Sequence, residues 1–486
     1  MTAAATSGAP AAAPGGAARL PVRLRLAFLA GPMLSMIDSS VVNVAVPVIV
    51  RGLHTTMGVA AWTVSGYLLG LACGLAATPW LARRFGTLRA YAAAMLAFTL
   101  ASAACALVPD VRLLIGARVV QGLAGAPMVP LAMSLILDPR RGARSMPASA
   151  GIVLFAAPAL GPALGGLLIS GFGWRSVFLI NLPIGLLALA AVRTARRAVP
   201  GHADPGARLD GPGLVLLAAG LGLATYGASQ GPAHGWLSAG SAPAWAGGLL
   251  LVGGYLARER YVLRERAART RRPPPAVSLS LLRSPQRALT LALACVASVV
   301  LFAVLFLAPV FLQQIQHHGT TVTGLVLLPQ GVVMGLASWL GSELIERGKA
   351  RPAVITASVS GGLALLAAGT LGLVLLTATT PLWVTTTLLC GRGVALGLTI
   401  QPLVMAFLAG TREREMPDAN TLFNMAERLS GSFGIALLAT LYASRAAATG
   451  SALAAFRECA LVLTVAAAVG AIAAACNHGM SVNDAG

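Results

Sequence analysis

Apolar runs of roughly 20 residues recur along the whole chain, each closed by a short joint bearing Arg or Gly and Pro, and a run of that length is what one bilayer-crossing helix requires. Read in order, they predict about fourteen spans, at 25–50, 58–80, 89–108, 112–137, 146–170, 174–192, 211–230, 241–261, 286–312, 322–345, 352–376, 381–409, 420–444 and 456–475. The pattern is that of an all-α polytopic membrane protein.

Two polar joints interrupt the rhythm. Residues 258–287 carry nine Arg and a triple Pro and divide eight spans from six, and a second basic joint from Arg193 to Arg208 follows span six. The chain is therefore expected to comprise a disordered tail (1–18), a six-helix bundle (19–197), a two-helix insert (198–261), a cytoplasmic linker (262–287), a second six-helix bundle (288–476) and a short tail (477–486). Weak internal repetition agrees with two halves: RRFGTLR (83–89) after span two has a counterpart in ERGKAR (346–351) after span ten, and Arg118 in span four has one in Arg392 in span twelve. Repeated halves place a substrate path at their interface near the midplane, where Pro- and Gly-softened helices can rock.

Composition agrees. The chain is 57% apolar and only 10% charged over 486 residues, too apolar for a soluble protein with a charged surface. The net charge of +20 would suggest nucleic acid if it formed a patch, but the basic residues fall in alternate loops. With a cytoplasmic N-terminus, 27 of the 35 Lys+Arg lie on the cytoplasmic side, five lie outside (Arg51, Arg112, Arg175, Arg445, Arg457) and three within spans. Basic loops resist translocation and are held by the anionic inner leaflet, so the charge sets topology, with both termini cytoplasmic, and signals no nucleic-acid partner. Cys73, Cys105, Cys295, Cys390, Cys459 and Cys476 show no paired spacing, which argues against a disulfide framework or a metal site. Arg19 to Arg25 before an apolar run imitates a signal peptide, but the run continues to about residue 50 without a small-residue cleavage site and reads as a retained span.

Acids within spans are costly and persist when paired, hydrated or useful. Asp38 lies about 13 residues into span one, ~20 Å from the cytoplasmic end at 1.5 Å per residue, too deep for so short a side chain to reach water. Burial favours its neutral form, which makes it a candidate proton carrier; the competing reading is a structural Asp bonded to a neighbouring helix, with Asn43 supporting the same region. Arg118 in span four, with Gln121 and Gly122 one turn on, sets a permanent cation, an amide and a close-packing surface on one face, and the cation can release a proton from a nearby carboxyl; snorkelling to the interface is the alternative. In span five, Pro158, Gly161, Pro162, Gly165 and Gly166 combine a groove with missing backbone hydrogen bonds, suited to bending and gating or to plain small-residue packing. Glu427, about eight residues into span thirteen, either meets cationic cargo or pairs with Arg392 or Arg428, whereas Glu343 reads as a solvated helix end paired with Arg347.

At DSSVVNVAVPVI (38–49) the chain begins to resemble the major facilitator superfamily, in particular its fourteen-span drug:proton antiporter branch. ARVVQGLAGA (117–126) resembles that family's Arg-x-x-Gln-Gly motif and APALGPALGG (157–166) its Gly-Pro-rich antiporter motif. WRSVFLINLPIG (174–185), the segment 210–236 and FNMAERLSGSFGIAL (423–437) resemble the branch in order and spacing, so the likeness runs from 25 to 475. It implies the major facilitator fold, two six-helix bundles plus two extra helices, and a role for Asp38 in proton coupling. There are departures. The loop after span two has Arg83 where the family has the Asp that helps lock the inward gate, and Glu427 stands where the family commonly has Arg, with Arg428 beside it.

Taken together, the leading expectation is a secondary transporter in the cell membrane, working as a monomer, that exports small amphiphilic compounds such as drugs and antibiotics in exchange for protons. Its partners are the cargo, protons and the bilayer. A proton-coupled importer or uniporter of a small metabolite is the alternative. The chain has a single lysine, Lys349, and no Gly-Lys-Ser/Thr loop to cradle nucleotide phosphates, which argues against an ATP-driven pump. An embedded enzyme would need His, Asp or Cys clustered at the membrane plane, whereas the six His lie in loops or the tail, and the adjacent His317 and His318 lack a third ligand; no cofactor or metal is expected.

Overall fold

The computed structural model describes residues 22–136, 148–195, 203–268, 275–347, 352–412 and 415–476. Both expected tails, 1–18 and 477–486, and the middle of the basic linker lie outside the described residues. Counting each interrupted helix once, the described chain forms α1 (Val22–Gly52), α2 (Met57–Phe85), α3 (Thr87–Leu107), α4 (Val111–Ile136), α5 (Ala148–Phe172), α6 (Ser176–Thr194), α7 (Gly211–His234), α8 (Ala242–Ala268), α9 (Pro285–Ile315), α10 (Thr320–Arg347), α11 (Pro352–Val374), α12 (Leu382–Leu408), α13 (Met416–Thr449) and α14 (Ala452–Cys476). Each overlaps one expected span.

Among the described residues eleven helices are long and apolar enough to cross a membrane. α5, α8 and α13 are not among them: the apolar part of α5 described with its side chains is Ala157–Phe172, α8 ends in RERYVLRERAA, and α13 carries Asp418, Glu427 and Arg428 in its first half and Arg445 with several Ser, Thr and Gly in its second. α8 also continues to Ala268, so the first residues of the expected linker are helical. Beyond it, the Tyr255 hydroxyl donates to the Val277 carbonyl at 2.6 Å and Glu259 Oε1 accepts from the Leu279 amide at 2.6 Å, which pins the returning chain against α8.

Helix ends and breaks follow local chemistry. Asp110 and Asp210 cap α4 and α7 by accepting from the amides of Arg112 and Gly213. α2 and α3 are joined through Gly86 alone, whose φ of +81° a side chain would resist. α4 is interrupted before Met128, at Pro127, and α6 at Ile180, close to Pro183, because proline cannot donate to the helical ladder.

Helices α1–α6 pack among themselves, chiefly α1 on α5 and α6, and α4 on α2 and α3. Likewise α10 and α11 pack on α12, α9 on α13, and α11 on α14. α7 and α8 pair with each other, and α7 leans on α13 and α2. The two sets meet through α5 on α10, α2 on α13 and α1 on α9. Large apolar side chains stay uncovered around the outside, Leu107 and Phe172 among them, as a hydrocarbon solvent would permit.

Candidate functional site

Asp38, Arg118 and Gln121, from α1 and α4, meet at one point with no exposed surface on any of them. Arg118 Nη1 donates to Asp38 Oδ2 at 2.5 Å, and Gln121 Nε2 to Oδ1 at 3.1 Å. A third donor comes from α6: Asn181 Nδ2 reaches Oδ1 at 3.0 Å. Gln121 and Asn181 also donate to Ser102 Oγ, at 2.9 and 2.8 Å, so the hydroxyl of α3 holds both amides in place. A carboxylate oxygen accepts hydrogen bonds, and Asp38 is met by three N–H donors.

The arginine is fixed from its other sides. Its Nε donates to the Thr63 carbonyl at 2.9 Å, Nη1 also reaches Gln121 Oε1 at 2.6 Å, and its plane lies 4.0 Å from the centroid of Tyr67. The Tyr67 hydroxyl in turn donates to the Ser35 carbonyl at 3.0 Å.

Ser35 opens onto a cavity of about 920 Å³, lined by α1, α2, α4 and α13. It extends from the level of Ser39 and Arg428 to Ala82 and Met416, at the end of the molecule where α1 begins and α2 finishes, the proximal end. Most of its wall is apolar, with hydroxyls of Ser35, Ser39, Thr78 and Ser134 and the amides of Asn420 and Asn424. At the opposite, distal end the two helix sets are in close contact. Thr320 Oγ1 donates to the Gly166 carbonyl at 3.1 Å, Gln313 Nε2 to the Val44 carbonyl at 3.0 Å and Ser432 Oγ to the Ser65 carbonyl at 2.8 Å. The path between the halves is thus open proximally and shut distally.

Other expected site residues take different places. Asn43 turns back onto its own helix, donating to the carbonyls of Ser39 and Ser40, and does not join the carboxylate cluster. Gly122 faces α2, where a Cβ would stand 2.2 Å from the Tyr67 carbonyl, so it permits the approach that places Arg118 on Tyr67. In α5 a Cβ on Gly161 would meet Ser40, one on Gly165 would meet Val41, and one on Gly166 the Thr320 carbonyl at 2.3 Å; this helix is wedged between α1 and α10, with Pro158 and Pro162 within it. Glu427 lies off the cavity, whereas Arg428 lines it. Arg392 is buried in the second set, donating to Thr370 Oγ1 and the Val300 carbonyl, and among the described residues no acid takes the position that Asp38 holds for Arg118.

Asn181, Ser102 and Tyr67 escaped the sequence reading. A mid-span Asn two residues before Pro183 was the available signal for the first; nothing separates Ser102 or Tyr67 from ordinary span residues. Arg83, where an acid was expected, lines a smaller cavity of about 400 Å³ together with Arg208, Asp210 and Asp418, so an acid sits across from it on α13.

Residues 28–435 match the Major Facilitator Superfamily. The chain belongs to that superfamily. It is 32% identical over 418 residues, 84% of this chain and 74% of the relative, to the multidrug resistance protein B homolog of Mycobacterium tuberculosis. It is 29% identical over 428 residues, 86% of this chain and 76% of the relative, to the tetracenomycin C resistance and export protein of Streptomyces glaucescens. In fold it matches the crystal structure of a bacterial homolog of the human lysosomal transporter Spinster, with a TM-score of 0.64, 17% identity and coverage of 95% and 97% of the two chains. Membership makes this a multi-pass membrane transporter of small molecules rather than an enzyme.

Proposed function

We propose that this superfamily member exports small amphiphilic compounds in exchange for protons, with two six-helix bundles rocking about the midplane, a two-helix insert beside them, and both termini in the cytoplasm. The observation that carries the reading is the buried Asp38 carboxylate, met by Arg118, Gln121 and Asn181 one residue layer from a large apolar cavity. The relatives' names, multidrug resistance and antibiotic resistance and export, favour cargo leaving the cell.

In this reading the open proximal end faces the cytoplasm. Cargo enters the cavity while Asp38 is ionised and paired with Arg118. When the path reopens on the far side, a proton from outside neutralises the carboxylate and cancels the ion pair. Arg118 is left to Thr63, Gln121 and Tyr67, and the balance between the two packings shifts back inward. Each positive charge moving inward down the membrane potential contributes ~2.3 kcal/mol per 100 mV.

The test uses inverted vesicles containing the protein, a pH-sensitive dye and a panel of lipophilic compounds. Proton release on adding a compound, abolished in Asp38→Asn, supports antiport through this acid. No release with any compound argues for a uniporter or importer, and release undiminished in Asp38→Asn removes Asp38 from the coupling role.

A further inference from the structure

Resting on the exporter reading, we infer that Arg428 makes this cavity select amphiphiles that carry a negative charge, a carboxylate, phenolate or sulfonate on an apolar body. Arg428 is the only charged side chain lining the cavity among the described residues. It sits on the twelfth residue after Met416, ~18 Å along α13 at 1.5 Å per residue, so it lies near the closed end of the path rather than at the mouth.

Asn420, Asn424 and Arg428 recur every four residues and therefore form one stripe on the helix face turned to the cavity. The stripe begins with neutral amides and ends on the guanidinium. Asn424 is held by its neighbour, its Nδ2 donating to the Asn420 carbonyl at 2.9 Å.

Nothing in the described structure cancels the charge. No carboxylate among the described residues forms an ion pair with Arg428, and its guanidinium stands 5.7 Å from the Phe302 ring centroid, a weak partner for a permanent cation. The adjacent Glu427 does not line the cavity. A cation beside an aromatic ring and among apolar walls repels cationic cargo and offers an anion a planar fork of donors. The potential acts in the same sense, because a negative interior drives an anion outward.

The sequence expectation, with Glu427 facing the cargo, points to cations instead. The two readings differ in sign, and a pair of probes with the same four phenyl rings and opposite charge separates them. Binding of tetraphenylborate and tetraphenylphosphonium is measured to the full chain in phosphatidylcholine nanodiscs, with empty discs subtracted. The expected result is about tenfold tighter binding of the borate, a preference lost in Arg428→Gln, kept in Arg428→Lys and inverted in Arg428→Glu. Equal binding, a preference for the phosphonium, or a borate preference that survives in Arg428→Gln overturns the inference. If Arg428→Gln does not fold, Arg428→Lys against Arg428→Met gives the same comparison.

Proton release in vesicles is read separately. Antiport without anion preference leaves the exporter reading standing and removes this one. Anion preference that depends on Arg428, without proton movement for any compound, removes the antiport reading and leaves the site.

Discussion

Asn181 donates to Asp38 across 143 positions of sequence, at 3.0 Å, and it does so from the first residue after the break in α6. The break near Pro183 lets a polar side chain enter the interior of the first helix set beside the buried Asp38 carboxylate. Asn181→Ala removes one of three donors from that carboxylate. Since interhelical hydrogen bonds in membranes are worth about 0.6–2 kcal/mol, the expected effect is a several-fold loss of compound-driven proton release with the fold retained. Vesicle assays alongside thermal unfolding in detergent check it, and an unchanged rate would put Asn181 outside the coupling cluster.

Asp38 and Arg118 are expected to be strongly non-additive. Removing one partner of a buried ion pair leaves an uncompensated charge at a cost of about 3–5 kcal/mol, whereas removing both leaves none. Asp38→Asn should therefore unfold at a lower temperature than the Asp38→Asn, Arg118→Gln double variant. Melting curves of the wild type, both single variants and the double variant form the cycle, and simple additivity would mean that the pair does not stabilise the fold.

Gly166 holds α5 against α10 at the distal end. A Cβ there would stand 2.3 Å from the Thr320 carbonyl, a backbone atom that cannot step aside. Gly166→Ala should pry this contact apart. The readout is the labelling rate of a cysteine placed by Thr321→Cys with a membrane-impermeant maleimide, expected to rise several-fold in the Gly166→Ala background. No rise would show that the two helices part elsewhere.

Asp210 both caps α7, through the Gly213 amide at 3.1 Å, and pairs with Arg258 at 2.7 Å. Asp210→Ala loses the cap, worth about 0.5–2 kcal/mol, and the pair as well. Arg258→Ala loses only the pair, which is partly exposed and worth roughly 1 kcal/mol or less. Asp210→Ala should lower the melting temperature more than Arg258→Ala, and the reverse order would assign the stability to the ion pair.

Sequence alone determined where the helices lie. Every span expected from the apolar runs overlaps a helix, because a run of about 20 apolar residues can satisfy its backbone in lipid only by coiling on itself, a local property of the chain. It also marked Asp38, Arg118 and Gln121, since charges and amides inside apolar runs are expensive enough to stand out.

What it left open is which face of each helix meets which neighbour, and that is decided by packing between segments far apart in the chain. Asn181 and Ser102 become carboxylate partners only because α3 and α6 close on α1 and α4. Asn43, five residues after Asp38, points back to its own helix instead. One residue of rotation on α13, about 100°, separates Glu427 from Arg428 and decides which of them faces the cavity. Composition cannot register that difference; the seating of α13 against α2 and α9 does.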